Sequence, residues 1–424
     1  MILLVGSAVV LLVIGVPVAV VLGSASALWV YLGSTTPDLV LVHRMVNGVD
    51  SFPLLAIPFF ILAGNLMNAT GVTKRIFNFA MALMGWLRGG LGHVNVLGSV
   101  IFAGMSGAAV ADAGGIGTIE IRAMRDHGYD DDFAIGITAA SATIGPIIPP
   151  SLPMVVYGYM ASVSVGQLFA AGLVPGLLMA AALMVMVAVI SHRRGYHRDT
   201  RFSLERLGRA FLAALLPLMT PVIIIGGMMS GTFTPTEAAV AASAYALVLG
   251  LVVYRTLDSR GLLRVSMETI ETTAVIMLIV AAASIFAWIL TSNRVEQGLA
   301  AAILGVTDNK YLLLFLVNVL FLVVGCFLET VAAITILVPV LMPIMQNVGV
   351  DPVHFGLIMV FNLMIGLVTP PVGMVLYVLA RVSRVSFEFA VKAAWPFLLP
   401  LVVTLFLVTY LPGLAMWLPT LLYR

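Results

Sequence analysis

The chain has 424 residues, of which 61% are hydrophobic and only 9% charged, with a mean hydropathy of +1.13. Soluble globular proteins carry about 25% charged residues, so the composition excludes a soluble domain and defines a polytopic helical membrane protein. A formal net charge of +2 says nothing about nucleic acid, and no basic, aromatic-interleaved cluster is present, so no nucleic-acid partner is expected. The single cysteine, Cys326, leaves no internal disulfide and no thiolate metal site. A transmembrane barrel would alternate apolar and polar residues over segments of about 10 residues; here the apolar runs are continuous and of spanning length.

The first Lys or Arg is Arg44, so the apolar start lacks the basic region of a secretory signal. Residues 2–33 read as one bent or two short spans around Pro17, and 34–52 as a polar connection. A span follows at about 53–68. Residues 71–90, with Lys74, Arg75 and Arg88, read as an interfacial helix. A Gly- and Ala-rich apolar stretch at 94–121 leads to a charged surface loop, Arg122 to Asp132. Residues 133–164 and 167–190 are apolar again. Residues 192–209 carry six arginines, and short Arg-rich loops stay in the cytoplasm. Counting on, 210–230 goes out, the 231–237 turn is outside, and 238–254 returns to Arg255, Arg260 and Arg264. Residues 270–291 exit, 292–310 form a polar outer stretch, 354–380 return to Arg381 and Arg384, and a last span covers about 395–417.

Two stretches break this pattern: Gly145-Pro146-Ile147-Ile148-Pro149-Pro150-Ser151 and Gly366-Leu367-Val368-Thr369-Pro370-Pro371-Val372. Proline lacks the amide hydrogen and clashes with the preceding turn, so each pair interrupts its helix. Bare peptide groups at membrane depth must face protein or a wet cavity. Two such interruptions in corresponding places of two half-chains point to an ion or substrate site near the bilayer centre. A shift of 221 residues joins them, and the same shift pairs Gly104 with Gly325, Gly128 with Gly349, Asp130 with Asp351 and Ser141 with Asn362. The loop at 122–130 is basic, whereas its partner at 345–351 has no Lys or Arg, so the halves read as inverted. The count of crossings requires 94–121 and 311–344 to begin and end on one side, as re-entrant hairpins with tips at 104–107 and 325–330.

Acids at membrane depth are Asp112, Glu120, Glu237, Glu329 and Glu388. Intramembrane carboxylates are costly and functional by default, although Asp112 and Glu329 equally read as caps of hairpin helices. Glu237 reads as the acid in the first turn of a helix starting at Thr234-Pro235. The carbonyls of Gly145, Ile148 and Pro150, freed by the first break, and the Ser106 hydroxyl are hard oxygen ligands that suit an alkali cation. The second half offers Gly325, Thr330, Gly366 and Thr369; Thr369 also reads as a helix cap, and Pro149, Pro150, Pro370 and Pro371 as plain kinks. With no Lys or Arg in either break, an anion would be met by half-helix N-termini, with Ser151 as a donor. Nucleophile elbow, zinc-hydrolase and phosphate-loop motifs are missing, so the sequence reads as no enzyme, and its energy source as an ion gradient.

Pro58-Phe59-Phe60-Ile61-Leu62-Ala63-Gly64, Phe102-Ala103-Gly104-Met105-Ser106-Gly107, Ile144 to Ser151, Phe233 to Ala238 and Gly366 to Gly373 together resemble the large membrane subunit of tripartite ATP-independent periplasmic (TRAP) transporters. The resemblance covers essentially the whole chain. It implies an all-α polytopic membrane protein of two inverted repeats, each with a re-entrant hairpin and a broken helix, forming an elevator-type scaffold plus transport domain. The expected division is 1–93 scaffold, 94–164 transport, 165–310 scaffold, 311–384 transport and 385–424 scaffold. It implies at least two sodium sites: Ser106, Gly145, Ile148 and Pro150, organised by Asp112; and Gly325, Thr330, Gly366, Thr369 and Met374. Asp112, Ser151, Glu329, Pro149, Pro370 and Pro371 would serve substrate or transport. The family often has Ser-Gly-Ser at the first tip; here it is Ser106-Gly107-Ala108, so no hydroxyl ligand comes from 108. The implied partners are a separate four-helix membrane subunit, since the chain starts at Met1 without one fused, a periplasmic substrate-binding protein and an organic acid, in the bacterial inner membrane. The rival readings are a stand-alone cation-coupled anion symporter of the same superfamily and, in another class, an ion channel.

Overall fold

The computed structural model describes residues 2–33, 36–295 and 309–423, with Gly298 and Thr307. Most of the expected outer stretch 292–310 lies outside the described residues. Among these, eight helices are long and apolar enough to cross a membrane.

The N-terminal run is two helices, α1 (Ile2–Val13) and α2 (Val18–Gly33), separated at Pro17. A short α3 (Leu39–Asn47) leads to α4 (Phe52–Ala69). Next, α5 (Val72–Met84) packs into the bundle between α6 (Gly90–Ser106) and α12 (Leu204–Met229), instead of lying apart at the interface. Its buried stripe of Val72, Ile76, Ala80 and Met81 is the reason.

The first hairpin turns where Gly107 takes a left-handed φ of +62° and Ala108 is extended. The chain returns through α7 (Ala109–Gly114) and α8 (Ile116–Asp126), which packs back on α6. After left-handed Gly128, α9 (Asp131–Ala142) begins behind Asp130, unwinds over 143–151 and resumes as α10 (Leu152–Met160). The second half repeats this order. Lys310–Phe327 (α15) and Thr330–Asn347 (α16) form the hairpin. Left-handed Gly349 and the cap Asp351 precede α17 (Pro352–Gly366), and a break at 367–373 precedes α18 (Met374–Ser383). Both Pro149–Pro150 and Pro370–Pro371 are cis. The 221-residue register is therefore visible in the backbone.

Between the halves, α11 (Val165–Arg194), α12, α13 (Pro235–Val253) and α14 (Ser259–Ser292) run through the bundle. Three sequence boundaries move. The Arg-rich segment is a free loop only over 195–203, because α11 continues through Arg194 and Ser203 caps α12. The helix expected from 270 starts at Ser259, capped by Asp258. The last span is α19 (Phe387–Tyr410), begun by the Ser386 cap; Pro412, at a helix first turn where its missing amide costs nothing, then opens a separate α20 (Pro412–Leu422).

Contacts sort the helices. α4 packs on α13, α5 on α12, and α14 on α2, α3 and α4. α19 packs on α9, α17 and α18, while α11 packs on α6, α17, α19 and α20. α11 and α19 bury their faces against the hairpins and broken helices.

Candidate functional site

Each hairpin tip abuts the break of its own half. A Cβ on Gly107 would come within 2.6 Å of the Pro150 carbonyl oxygen. A Cβ on Gly366 would come within 2.4 Å of the Gly325 backbone carbon. Only glycine permits this second approach, since the obstacle is backbone on both sides.

At the first break, Ser106, Asp112 and Gly145 meet. The Ser106 hydroxyl donates to Asp112 Oδ1. Asp112 is 1% exposed, and its Oδ2 has no hydrogen-bond partner. That oxygen occupies the space a Cβ on Gly145 would fill, at 2.2 Å. Ile148 is buried, with its side chain against Gly176, and Pro150 presents its carbonyl to the tip. Of the expected first group, Ser106, Asp112 and Gly145 are brought together, and Pro150 lies against Gly107. A buried carboxylate oxygen without a donor is costly; a monovalent cation held by oxygen ligands is a group that would satisfy it.

Ser151 differs from expectation. It gives its one proton to the Pro146 carbonyl and accepts from the Met154 amide at 3.3 Å. It is a fully buried cap of α10, with no proton left for a ligand.

In the second half, Gly325 and Gly366 touch, and Thr330 begins α16. Thr369 donates to Ile365 O at 2.7 Å, a back-bond that leaves its lone pairs open. Glu329 caps α16, accepting from the amides of Val331 (2.9 Å) and Ala332 (3.1 Å). The capping alternative raised from sequence therefore describes Glu329, although the side chain still faces the cavity. Glu237 forms a capping box with Thr234, as its position predicts. Pro149 faces Phe169 and Tyr423 in a separate crevice.

The main cavity, of about 640 Å³, receives both halves. Ala108, Pro146 and Leu152 line it from the first half, and Glu329, Thr330 and Met374 from the second. Pro17, Glu271 and Thr272 close the opposite wall. No Lys or Arg lines it among the described residues. The starts of α10, α16 and α18 border it, so the positive ends of three helix dipoles lie at the space, with Ser151 and Glu329 capping the first two.

Two buried polar networks escaped sequence reasoning. In the first half, Asn95 Nδ2 donates to Glu120 Oε2 (2.7 Å) and Thr138 Oγ1 (2.8 Å), and Ser141 donates to Asn95 Oδ1 (2.6 Å). In the second, Asn362 donates to Asn318 Oδ1 (2.6 Å), and Asn318 to Thr409 (3.3 Å). Each ties the first arm of a hairpin to its broken helix. The Ser141–Asn362 pairing was legible at the 221 shift; Asn95 and Asn318 stand two residues off that register, which hides them. At the loop end, Arg194 on α11 grips Asp132 (2.6 Å) and Asp130 (3.1 Å). The Arg194 hydrogen bond holds the Asp132 carboxyl below the ordinary carboxylate range.

Two repeated broken helices facing one cavity define a membrane permease built from paired half-helices. The family profile described as "Tripartite ATP-independent periplasmic transporter, DctM component" matches residues 5–414. The chain is 48% identical over 97% of its length to the sialic acid TRAP transporter large permease protein SiaM of Vibrio cholerae, covering 96% of that protein. It is 40% identical over 94% of its length to the C4-dicarboxylate TRAP transporter large permease protein DctM of Pseudomonas aeruginosa, covering 93% of it. Among solved structures, the Alcanivorax borkumensis YdaH transporter superposes with a TM-score of 0.64 at 15% identity, over 96% of this chain and 97% of that one, which shows a shared fold. The chain belongs to the DctM family of TRAP transporter large permeases. It is a multi-pass membrane transport protein and not an enzyme.

Proposed function

We propose that this permease carries out sodium-coupled uptake of an organic acid across the bacterial inner membrane, working with a small four-helix membrane subunit and a periplasmic substrate-binding protein. One observation carries the reading: both hairpin tips and both helix breaks meet around a single cavity without cationic side chains, beside a buried carboxylate oxygen that no protein group satisfies. Similar permeases are named for sialic acid, C4-dicarboxylates and isethionate, all acids.

Sodium would sit on Ser106 and the carbonyls of Gly145, Ile148 and Pro150, with Asp112 compensating its charge. A second ion would sit on Gly325, Thr330, Gly366, Thr369 and Met374. Filling both sites ties each tip to its break and preorganises the amides that receive the substrate anion. Helices α6–α11 and α15–α20 would slide as one body against α1–α5 and α12–α14; this assigns α11 and α19 to the moving body, from their packing. Glu271 lies two turns beyond Arg264 on α14, the end assigned to the cytoplasm, so the cavity corresponds to the inward-facing state.

The test is uptake into proteoliposomes holding the chain, the small subunit and the substrate-binding protein. Sodium-dependent uptake that vanishes in choline buffer and in Asp112→Ala is expected. Undiminished accumulation in choline overturns the coupling. Uptake without the substrate-binding protein would favour the stand-alone symporter.

A further inference from the structure

Glu120 stands outside the mechanism just proposed. It is 1% exposed, inside the first hairpin between α6 and α8. Oε2 accepts from Asn95, but Oε1 has no hydrogen-bond partner and packs against Gly98, where a Cβ would come within 2.6 Å of it. Gly98 therefore leaves room for this oxygen. Among the described residues, no cation compensates the carboxyl. Lys74 and Arg75 on α5, His93 on α6, Asp131 and Asp132 on α9, Arg381 on α18, and Arg122, Arg125 and Asp126 on its own helix form no hydrogen bond or ion pair with it. Asp112 on α7, of the same sign, adds repulsion rather than compensation. A carboxylate so placed must find a positive partner or a proton. Gly98 and an Ile116 methyl lie on this side of Oε1, and no cluster of three or more His, Cys, Asp or Glu that could hold a metal ion is found among the described residues.

We propose that Glu120 is a proton-binding site carried by the first hairpin, and that a proton accompanies the sodium-driven cycle. Only an O–H bond forms and breaks: the proton comes from water on one side as the carboxylate becomes the acid, and returns to water on the other. Access is short in this state. Glu120 lies five residues before Arg125 on α8, about 8 Å beneath the charged loop. The Asn95 amide, shared with Thr138 and fixed by Ser141, connects the acid to α9 just before its break, so the protonation state bears on the segment that would hold sodium. The second half has no counterpart: its Asn318–Asn362–Thr409 network is uncharged.

The site is tested on the purified full chain by difference infrared spectroscopy from about pH 9 to about pH 5, where buried carboxyls titrate. A carboxylic-acid carbonyl band that grows as pH falls, and is lost in Glu120→Gln, is expected. Identical pH-dependent spectra in both proteins, or a band constant across the range, overturn the proposal. Should Glu120→Gln fail to fold, Thr138→Val keeps the carboxyl but alters its Asn95 partner; the band should shift, and an unshifted band overturns it. The consequence for coupling rests on the transport reading above. Sodium-driven uptake should change by up to about tenfold per pH unit in the wild type and lie flat in Glu120→Gln; equal profiles overturn it. Sodium driving no uptake at any pH would sink the transport reading and leave the infrared result standing.

Discussion

The two halves share one backbone plan and differ in where they put charge. In the first, Asp112 sits inside the hairpin with an unsatisfied oxygen against Gly145, and Glu120 is buried behind it. In the second, Glu329 spends its carboxylate on the first amides of α16 and faces the cavity, and the network behind it is neutral. Duplication preserved the geometry of tip and break, because that geometry is backbone. The side chains differ, so under the sodium reading proposed above the first half would neutralise a cation and the second would hold one with neutral oxygens.

The harshest way to break the comparison is at the glycines. Gly366→Ala would push a methyl into the Gly325 backbone, which cannot retreat; overpacking of this kind costs about 1–3 kcal/mol, occasionally more, so a large loss of thermal stability in detergent is expected. Gly145→Ala meets chiefly the Asp112 carboxylate, a side chain rather than backbone, with the Ala142 carbonyl oxygen only at ordinary contact distance. That variant should fold near wild type and lose sodium dependence instead. Equal melting temperatures for the two variants would contradict the difference in what each methyl meets.

Next comes the charge. Asp112→Asn should weaken sodium activation of uptake by about 10–100-fold, the range for groups that tune a metal site. Glu329→Gln still offers an oxygen to the Val331 and Ala332 amides, so its loss should stay within a few-fold. Sodium titrations of uptake decide this, and the reverse ranking would exchange the roles of the halves.

The polar ties should differ more gently. Ser141→Ala strips Asn95 Oδ1 of its donor, at a cost of about 1–2 kcal/mol. Asn362→Ala also removes an acceptor, Asn362 Oδ1, that has no partner, and Asn318 keeps Thr409, so its cost should be nearer the membrane average of about 0.6 kcal/mol. Thermal melts of both variants measure the gap.

The smallest effect is expected at the loop end, where only the first half has an ion-pair clasp to α11. The folded state holds the Asp132 carboxyl below its unfolded range of about 3.9. Its contribution is therefore present above about pH 4 and is lost as pH falls through the lower folded value. Arg194→Ala should lower stability slightly at neutral pH, by less than about 1 kcal/mol for a partly exposed pair, and flatten the acid limb of the stability curve below about pH 4.

Some of this was readable without coordinates. The composition declared the membrane, the double prolines declared two breaks because no neighbour can restore a missing amide hydrogen, and the 221-residue shift declared two halves. Gly107, Gly325 and Gly366 were legible because the need for a close approach is written in the residue itself. The helix start at Thr234 was legible because its cap acts within a turn of its own helix. Tertiary structure alone decided what depends on partners far along the chain. Ser151 looked like a free donor until Pro146 took its proton. Nothing in the sequence singled out Glu271, which α14 brings to the cavity. Glu120 became more than a buried acid once Asn95, Thr138 and Gly98 were placed around it. Local rules act through backbone covalency and neighbours within a turn; the satisfaction of a buried polar atom depends on whichever helix packs beside it, and no short stretch of sequence states which one that is.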